Sequence, residues 1–205
     1  MLIMHNQILT KEQVQLLPLI KSFSQTHYLV GGTAIALHFG HRRSIDFDLF
    51  TDSLFDPMSV RTKLGKRYSI DQTISQGEGE LTILIQNVKI TFFYYPYPIE
   101  RTVAFDDIIK LPDLLTLGAM KAFALGRRAK WKDYVDLYYI FQKHTFGDLM
   151  TKTNSVFKHE FNEKLFRSQL GYFEDIDYSE EIEYIPGFEK KDDDIKQFLE
   201  KISLT

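Results

Sequence analysis

The sequence contains no cysteine. Disulfides, thiolate nucleophiles and cysteine-ligated zinc are therefore excluded, and the composition suits a reducing compartment. There is no run of about 18 apolar residues to cross a bilayer. The opening MLIMHNQILTKEQ is too polar and short for a signal peptide, so the reading is a cytoplasmic chain with no membrane partner. Proline and glycine are scarce, 6 and 11 of 205 residues, and no repeat or low-complexity tract interrupts the chain. A net charge of −3 excludes a generally basic nucleic-acid protein.

What is present is enough apolar material for a sizeable core, 44% of residues hydrophobic and 14% aromatic, in one or two domains. Charge is unevenly placed. From Lys121 to Lys132 there are five cations (Lys121, Arg127, Arg128, Lys130, Lys132) and no acid, whereas Glu174 to Asp194 holds ten acids against Lys190 and Lys191. The first can be a local anion site, and the second reads as a solvated, turn-like face.

Periodicity predicts a helix over Thr10–Phe23 with Val14, Leu17 and Ile20 inward, Thr10 as cap and a kink or break at Pro18. A short strand His27–Val30 ends at Gly31 and Gly32. A two-turn helix Thr33–Phe39 closes at Gly40. After the loop His41–Ser44, Ile45–Phe50 alternates as a strand with Ile45, Phe47 and Leu49 on one face, Asp46 and Asp48 on the other. Further expectations are a helix Ser53–Leu64, a strand Tyr68–Ile74, a GEGE turn at Gly77–Glu80, and a hairpin of Leu81–Gln86 with Val88–Tyr95. Helical spacing then covers Asp106–Leu111, Pro112–Arg127, Trp131–Lys143, Phe146–Leu170 and Asp192–Ile202. The aromatic run Thr91–Pro98 and the set Tyr134, Tyr138 and Phe141 read first as packing.

The stretch Tyr28–Phe50, YLVGGTAIALHFGHRRSIDFDLF, concentrates the chemistry. Two glycines between a strand and a helix let backbone amides approach an anion at the helix N-terminus. The spacing fits neither the dinucleotide fingerprint nor a P-loop. Two aspartates two apart on a strand leave the same face, roughly 7 Å apart at the backbone, where they can hold the divalent metals of phosphoryl or nucleotidyl transfer. Magnesium suits such an oxygen-only pair. Lys121, on an otherwise apolar helix, either reaches phosphate or lifts its head to solvent. Asp133 and Asp136 share a helix face; they align a basic residue, act on a substrate, or make surface ion pairs.

GGTAIALHFGHRRSIDFDLF resembles the GG[ST]…DxD signature of the DNA polymerase beta superfamily of nucleotidyltransferases, most closely the AbiEii/AbiGii toxins of bacterial toxin–antitoxin systems. MKAFALGRRAKWKDYVDLYYI resembles that family's K-x-x-A and R-x-K-D-x-x-D-L blocks, so the likeness spans Tyr28 to Ile140. It implies an α+β fold: a small mixed-sheet nucleotidyltransferase core over residues 1–100, then a helical half, 101–205, closing the active site. It further implies Asp46 and Asp48 as catalytic metal ligands for Mg2+ (or Mn2+), and nucleoside triphosphate phosphates on Gly31, Gly32, Thr33, Arg42, Ser44 and Lys89. Lys121, Asp133 and Asp136 complete the catalytic set, and His41 has a supporting or packing role rather than ligation. The implied reaction moves a nucleoside monophosphate onto an acceptor hydroxyl, with tRNA or another RNA favoured, by a toxin with a cognate antitoxin. The chain departs from the pattern at Thr91, where related enzymes carry a third carboxylate. That departure motivates one alternative, an impaired nucleotide- or partner-binding module of the same fold; the other, within the enzyme class, is a protein-nucleotidylating enzyme.

Overall fold

The computed structural model describes residues 4–125 and 127–205. A five-stranded mixed sheet has the order β1-β2-β5-β4-β3, built from β1 (Tyr28–Val30), β2 (Phe47–Thr51), β3 (Gln72–Gly77), β4 (Glu80–Ile85) and β5 (Val88–Tyr94). β2 and β5 run parallel, and the other pairs are antiparallel. The expected hairpin β4–β5 turns at Gln86 and Asn87, both at positive φ, a conformation asparagine tolerates well. Alternation decides the sheet's two faces. Phe47, Leu49, Ile90 and Phe92 are fully buried, and Phe92 meets the Phe23 ring that follows the first helix. Asp48, Lys89 and Thr91 occupy the opposite, half-buried face.

Helix α1 (Lys11–Ser22) is opened by a reciprocal capping box between Thr10 and Gln13 and runs unbroken through Pro18. Burial of Leu16, Leu19 and Ile20 at zero exposure, worth roughly 1.5–3 kcal/mol each, offsets the roughly 3 kcal/mol cost of an interior proline. The buried stripe differs from the expected one: Val14 is 50% exposed, and Gln13 and Leu16 lie inside. Helix α2 (Gly31–Phe39) starts at the glycine pair itself, before Thr33, and ends as expected at Gly40 in the left-handed conformation.

Several other boundaries move for local reasons. β2 begins at Phe47 rather than Ile45, because side chains hold the Asp46 carbonyl and take it out of the ladder; Ile45 is consequently exposed rather than packed. Helix α3 (Pro57–Gly65) waits for the cap Asp56 and for Pro57 at its first position. The Tyr68 strand is displaced to β3, and the turn within GEGE narrows to Glu78 and Gly79. Asp106–Leu111 is no helix: β6 (Val103–Phe105) and β7 (Ile109–Leu111) form a hairpin with Asp106 at positive φ.

Helix α4 (Leu114–Leu125) is capped by Asp113, which accepts from the Thr116 N–H (2.7 Å). The expected extension to Arg127 crosses Gly126, which lies outside the described residues. Helix α5 spans Trp131–Phe141. The single helix expected over Phe146–Leu170 is two, α6 (Phe146–Phe157) and α7 (Glu163–Leu170), divided where Lys158 takes positive φ and Asn162 caps a new start. Helix α8 (Asp192–Ser203) ends the chain. Among the described residues no helix is long and apolar enough to cross a membrane.

Candidate active site

The site begins with an exacting contact between backbone and carboxylate. Gly31 has φ +73°, and a Cβ built there would lie 2.0 Å from Asp48 Oδ2. Only glycine fits on both counts. At Gly32 a Cβ would meet Arg42 Nη2 at 2.6 Å and Ser44 Oγ at 3.1 Å. The glycine turn is thus pressed between Asp48 on one side and the His41–Ser44 loop on the other. The free N–H groups of the first turn of α2 lie within this turn.

Asp46 is placed by its backbone. Its carbonyl accepts from the Thr33 hydroxyl and, at 3.5 Å, from the Gln13 amide. Ser44 Oγ lies 2.9 Å from the same Thr33 hydroxyl. The Asp46 carboxylate leaves on the cleft face and pairs with Lys89 Nζ at 2.7 Å. Burial would lower the Lys89 ammonium, but the hydrogen bond and charge of Asp46 outweigh it and raise its pKa. Asp48 has no ion-pair partner among the described residues. Burial, and then the charge of Asp46, push its carboxyl up, against Arg128, Lys89 and Lys121. Two such carboxylates fit one hard divalent cation, whose remaining positions substrate phosphate and water would fill. Thr91 stands beside Asp48 in register, so no third carboxylate joins from β5. Among the described residues no group of three histidine or acidic side chains is arranged to hold a metal.

Beneath the turn lies a buried charge network. Asp136, at zero exposure, receives Nε and Nη2 of Arg42, each at 2.8 Å, together with Lys121 Nζ at 3.0 Å and His41 Nε2 at 2.9 Å. Asp133, equally buried, receives Lys121 and, at 3.0 Å, Arg128. Burial would raise both aspartates, yet the facing cations outweigh it: Arg42 and Lys121 hold Asp136 well below the usual range, and Lys121 and Arg128 lower Asp133. Lys121 is raised in turn by the two aspartates against its own burial. Burial pushes His41 down, so it is neutral and donates to Asp136. The acceptor capacity of Asp136 is spent, leaving nothing free for a substrate. Both aspartates therefore align basic residues, one of the roles open to them from sequence, and Arg42 supports the glycine turn from below.

Above the network a cavity of about 300 Å³ opens between the sheet and α4. Asp48, Gly31, Lys121 and Arg128 form its polar end, and Phe50, Tyr95 and Phe123 contribute to an apolar wall. The structure thus places Gly31, Asp48 and Lys121 at the polar end of this cavity and Arg42, Ser44 and Asp46 along a second, neighbouring cleft. Gly32 adjoins Arg42 and Ser44, Thr33 and Lys89 contact Asp46, and Asp133 and Asp136 lie buried beneath. Sequence reasoning missed three participants. Gln13 carried no signal beyond lying in the first expected helix, Arg128 was marked only as a member of the cationic island, and Tyr95 only as part of an aromatic run.

The family model described as "Nucleotidyl transferase AbiEii toxin, Type IV TA system" matches residues 19–204. An uncharacterised protein of Aquifex aeolicus (strain VF5) is 32% identical over 210 residues, covering 94% of this chain and 98% of that protein. Among solved structures the fold is similar to MenT4, a nucleotidyltransferase toxin from Mycobacterium tuberculosis H37Rv. That match has TM-score 0.60 and 14% identity and covers 94% of this chain and 81% of the other. JHP933 from Helicobacter pylori matches with TM-score 0.48 and 16% identity, over 80% of this chain and 74% of that one. The family model covers nearly the whole chain, and the α+β architecture agrees with it: the chain belongs to the AbiEii family of nucleotidyltransferase toxins of type IV toxin–antitoxin systems.

Proposed function

We propose that the chain transfers a nucleoside monophosphate from a magnesium-bound nucleoside triphosphate to an acceptor hydroxyl, with RNA, tRNA among them, as the favoured acceptor. Residues 1–100 supply the chemistry, and residues 101–205 close the site and carry its supporting charges. One observation carries this reading: Asp48 is pressed against the Gly31 turn at the mouth of a cavity whose polar end holds Lys121 and Arg128. This supports the reading because the glycine-turn amides, one carboxylate of the proposed metal pair and positive charge meet there, as in-line transfer to the α-phosphorus requires.

Asp46 and Asp48 would hold the metal, which supplies charge neutralisation for the phosphates when bound. The amides of Gly31, Gly32 and Thr33 and the hydroxyl of Ser44 receive phosphate oxygens, and Lys89 adds positive charge beside Asp46. Arg42, held by Asp136, fixes the turn and contributes its field to the phosphates. The acceptor oxygen forms a bond to the α-phosphorus as the bond to pyrophosphate breaks, and the hydroxyl proton leaves to solvent or pyrophosphate. A cognate antitoxin would restrain this activity in the cell.

The test is incubation with each α-labelled triphosphate and total cellular RNA or protein, with magnesium or with chelator. Magnesium-dependent label in RNA supports the reading. Label confined to protein would replace RNA by a protein hydroxyl as acceptor, and label in neither fraction would refute transfer to both.

A further inference from the structure

The acidic segment between α7 and α8 is tied down at two places and arches between them. At one end Trp131 N–H donates to the Asp177 carbonyl (3.0 Å) and Asp177 N–H to the Ala129 carbonyl (2.8 Å). At the other, Arg43 N–H donates to the Glu183 carbonyl (2.8 Å) and Ile185 N–H to the His41 carbonyl (3.0 Å). Between these anchors Glu180 lines an open cleft of about 670 Å³ together with the cations Arg42, Arg43 and Lys132 and the acids Asp46, Glu181 and Glu183. One Glu180 carboxylate oxygen takes Lys130 Nζ and the other takes Lys132 Nζ. Lys130 is the N-cap residue of α5 and Lys132 lies in its first turn, where the helix dipole adds positive potential.

A carboxylate held by two lysines, beside a helix start and facing Asp46, occupies a setting suited to phosphate. Burial would raise the Glu180 carboxyl, but the hydrogen bonds from Lys130 and Lys132 bring it down to about 2, so it is fully ionised at neutral pH. Arg42 and Asp46 line the same cleft as Glu180, which places Glu180 on the Asp46 side of the site. The lysine contacts hold the side chain, while the anchors hold the backbone on either side, so Glu180 can swing out with both anchors intact. Partly exposed ion pairs of this kind are weak, and a phosphate carrying more charge and more acceptor oxygens than a carboxylate can displace one.

We propose that Lys130 and Lys132 form a phosphate-binding site and that Glu180 is its built-in occupant, exchanged for a phosphate group when substrate enters. The assignment rests on the nucleotidyltransferase reading for its choice of phosphate. Phosphate could come from the triphosphate chain of the nucleotide or from the backbone of an RNA acceptor. Because the internal anion competes, apparent affinity is reduced by the fraction of molecules in which the site is closed.

The experiment measures binding of tripolyphosphate and of a short single-stranded RNA at fixed low salt by titration calorimetry. It compares the wild type with Glu180→Gln, Glu180→Ala and the double variant Glu180→Gln, Lys132→Ala, with unfolding midpoints recorded for all. Glu180→Gln and Glu180→Ala are expected to tighten at least one probe about three- to tenfold. The double variant loses that gain. Tightening for tripolyphosphate alone assigns the site to the nucleotide chain; tightening for RNA alone assigns it to the acceptor backbone. Folded Glu180 variants that bind both probes as the wild type does, or more weakly, overturn the proposal. A parallel transfer assay separates the two readings: transfer without any Glu180 effect removes the phosphate site alone, and a Glu180 effect without transfer removes the catalytic reading alone.

Discussion

Thr91 stands directly beside Asp48 in the parallel register of β2 and β5, on the same face of the sheet and within 3.5 Å of Thr82 on the far side. A neutral side chain thus sits at the position where the family resemblance leads one to expect a third carboxylate beside the proposed metal pair Asp46 and Asp48. Thr91→Asp should lower the magnesium concentration for half-maximal transfer and, without metal, destabilise the fold by about 1 kcal/mol through repulsion with Asp48. Magnesium titrations of activity and of unfolding check both effects. An unchanged magnesium requirement would show that position 91 lies outside the metal's reach.

Asp136→Asn removes the charge that holds Arg42 and Lys121 in the interior. Breaking one partner of a buried pair leaves the others uncompensated, so a loss of about 3–5 kcal/mol in denaturant unfolding is expected. Asp136 is the most heavily coordinated carboxylate of the network. A loss below about 1 kcal/mol would mean that water reaches these cations.

His27 sets a pH dependence remote from the cleft. Its ring is buried among Phe23, Phe55 and Phe92, and burial, then Lys63 and Arg101, bring its pKa from 6.5 down to about 4. The unfolded chain therefore binds the proton more readily than the fold does. Stability from this group is complete above pH 6.5 and declines by about 3 kcal/mol as pH falls from 6.5 to 4. Below that window the contribution is constant. Unfolding curves across the window should show this slope in the wild type and its absence in His27→Phe.

Gly31→Ala tests the contact between turn and carboxylate. The left-handed conformation costs alanine about 1 kcal/mol, and its Cβ must displace Asp48. Activity should fall about a hundredfold or more, since small misplacements of reacting groups are costly, while stability falls by only about 1–3 kcal/mol. Comparable loss at an exposed control glycine such as Gly65, around which a Cβ meets nothing within 4 Å, would remove the special status of Gly31.

Much of this arrangement was legible in local pattern. The strand, glycine pair and helix of residues 28–39, the placement of Asp48 opposite the buried Phe47 and Leu49, and the β4–β5 hairpin follow from alternation and turn chemistry among near neighbours, whereas Asp46 lies just before the strand expected to carry it. Long-range partners were not legible. Nothing local in Thr10–Gln13 says that Gln13 reaches the Asp46 carbonyl, nor that Glu180 returns across the chain to Lys130 and Lys132. Helical spacing misled at Asp106–Leu111, where residues with apolar spacing pair as a hairpin, and at Phe146–Leu170, where one backbone reversal at Lys158 divides a continuous pattern. Lys121, Asp133 and Asp136 were readable as a set, but only packing showed that they neutralise one another.

The most direct measurement is magnesium-dependent transfer from labelled nucleoside triphosphate by the wild type and Asp48→Asn, with unfolding free energies measured on the same preparations. Burial and Asp46 disfavour charge on Asp48, so asparagine should leave stability unchanged or slightly higher. Transfer should fall by about a thousandfold or more, roughly 4 kcal/mol of transition-state stabilisation. An Asp48→Asn protein that transfers nucleotide at the wild-type rate, with unaltered magnesium dependence, would contradict the placement of catalysis at this carboxylate pair.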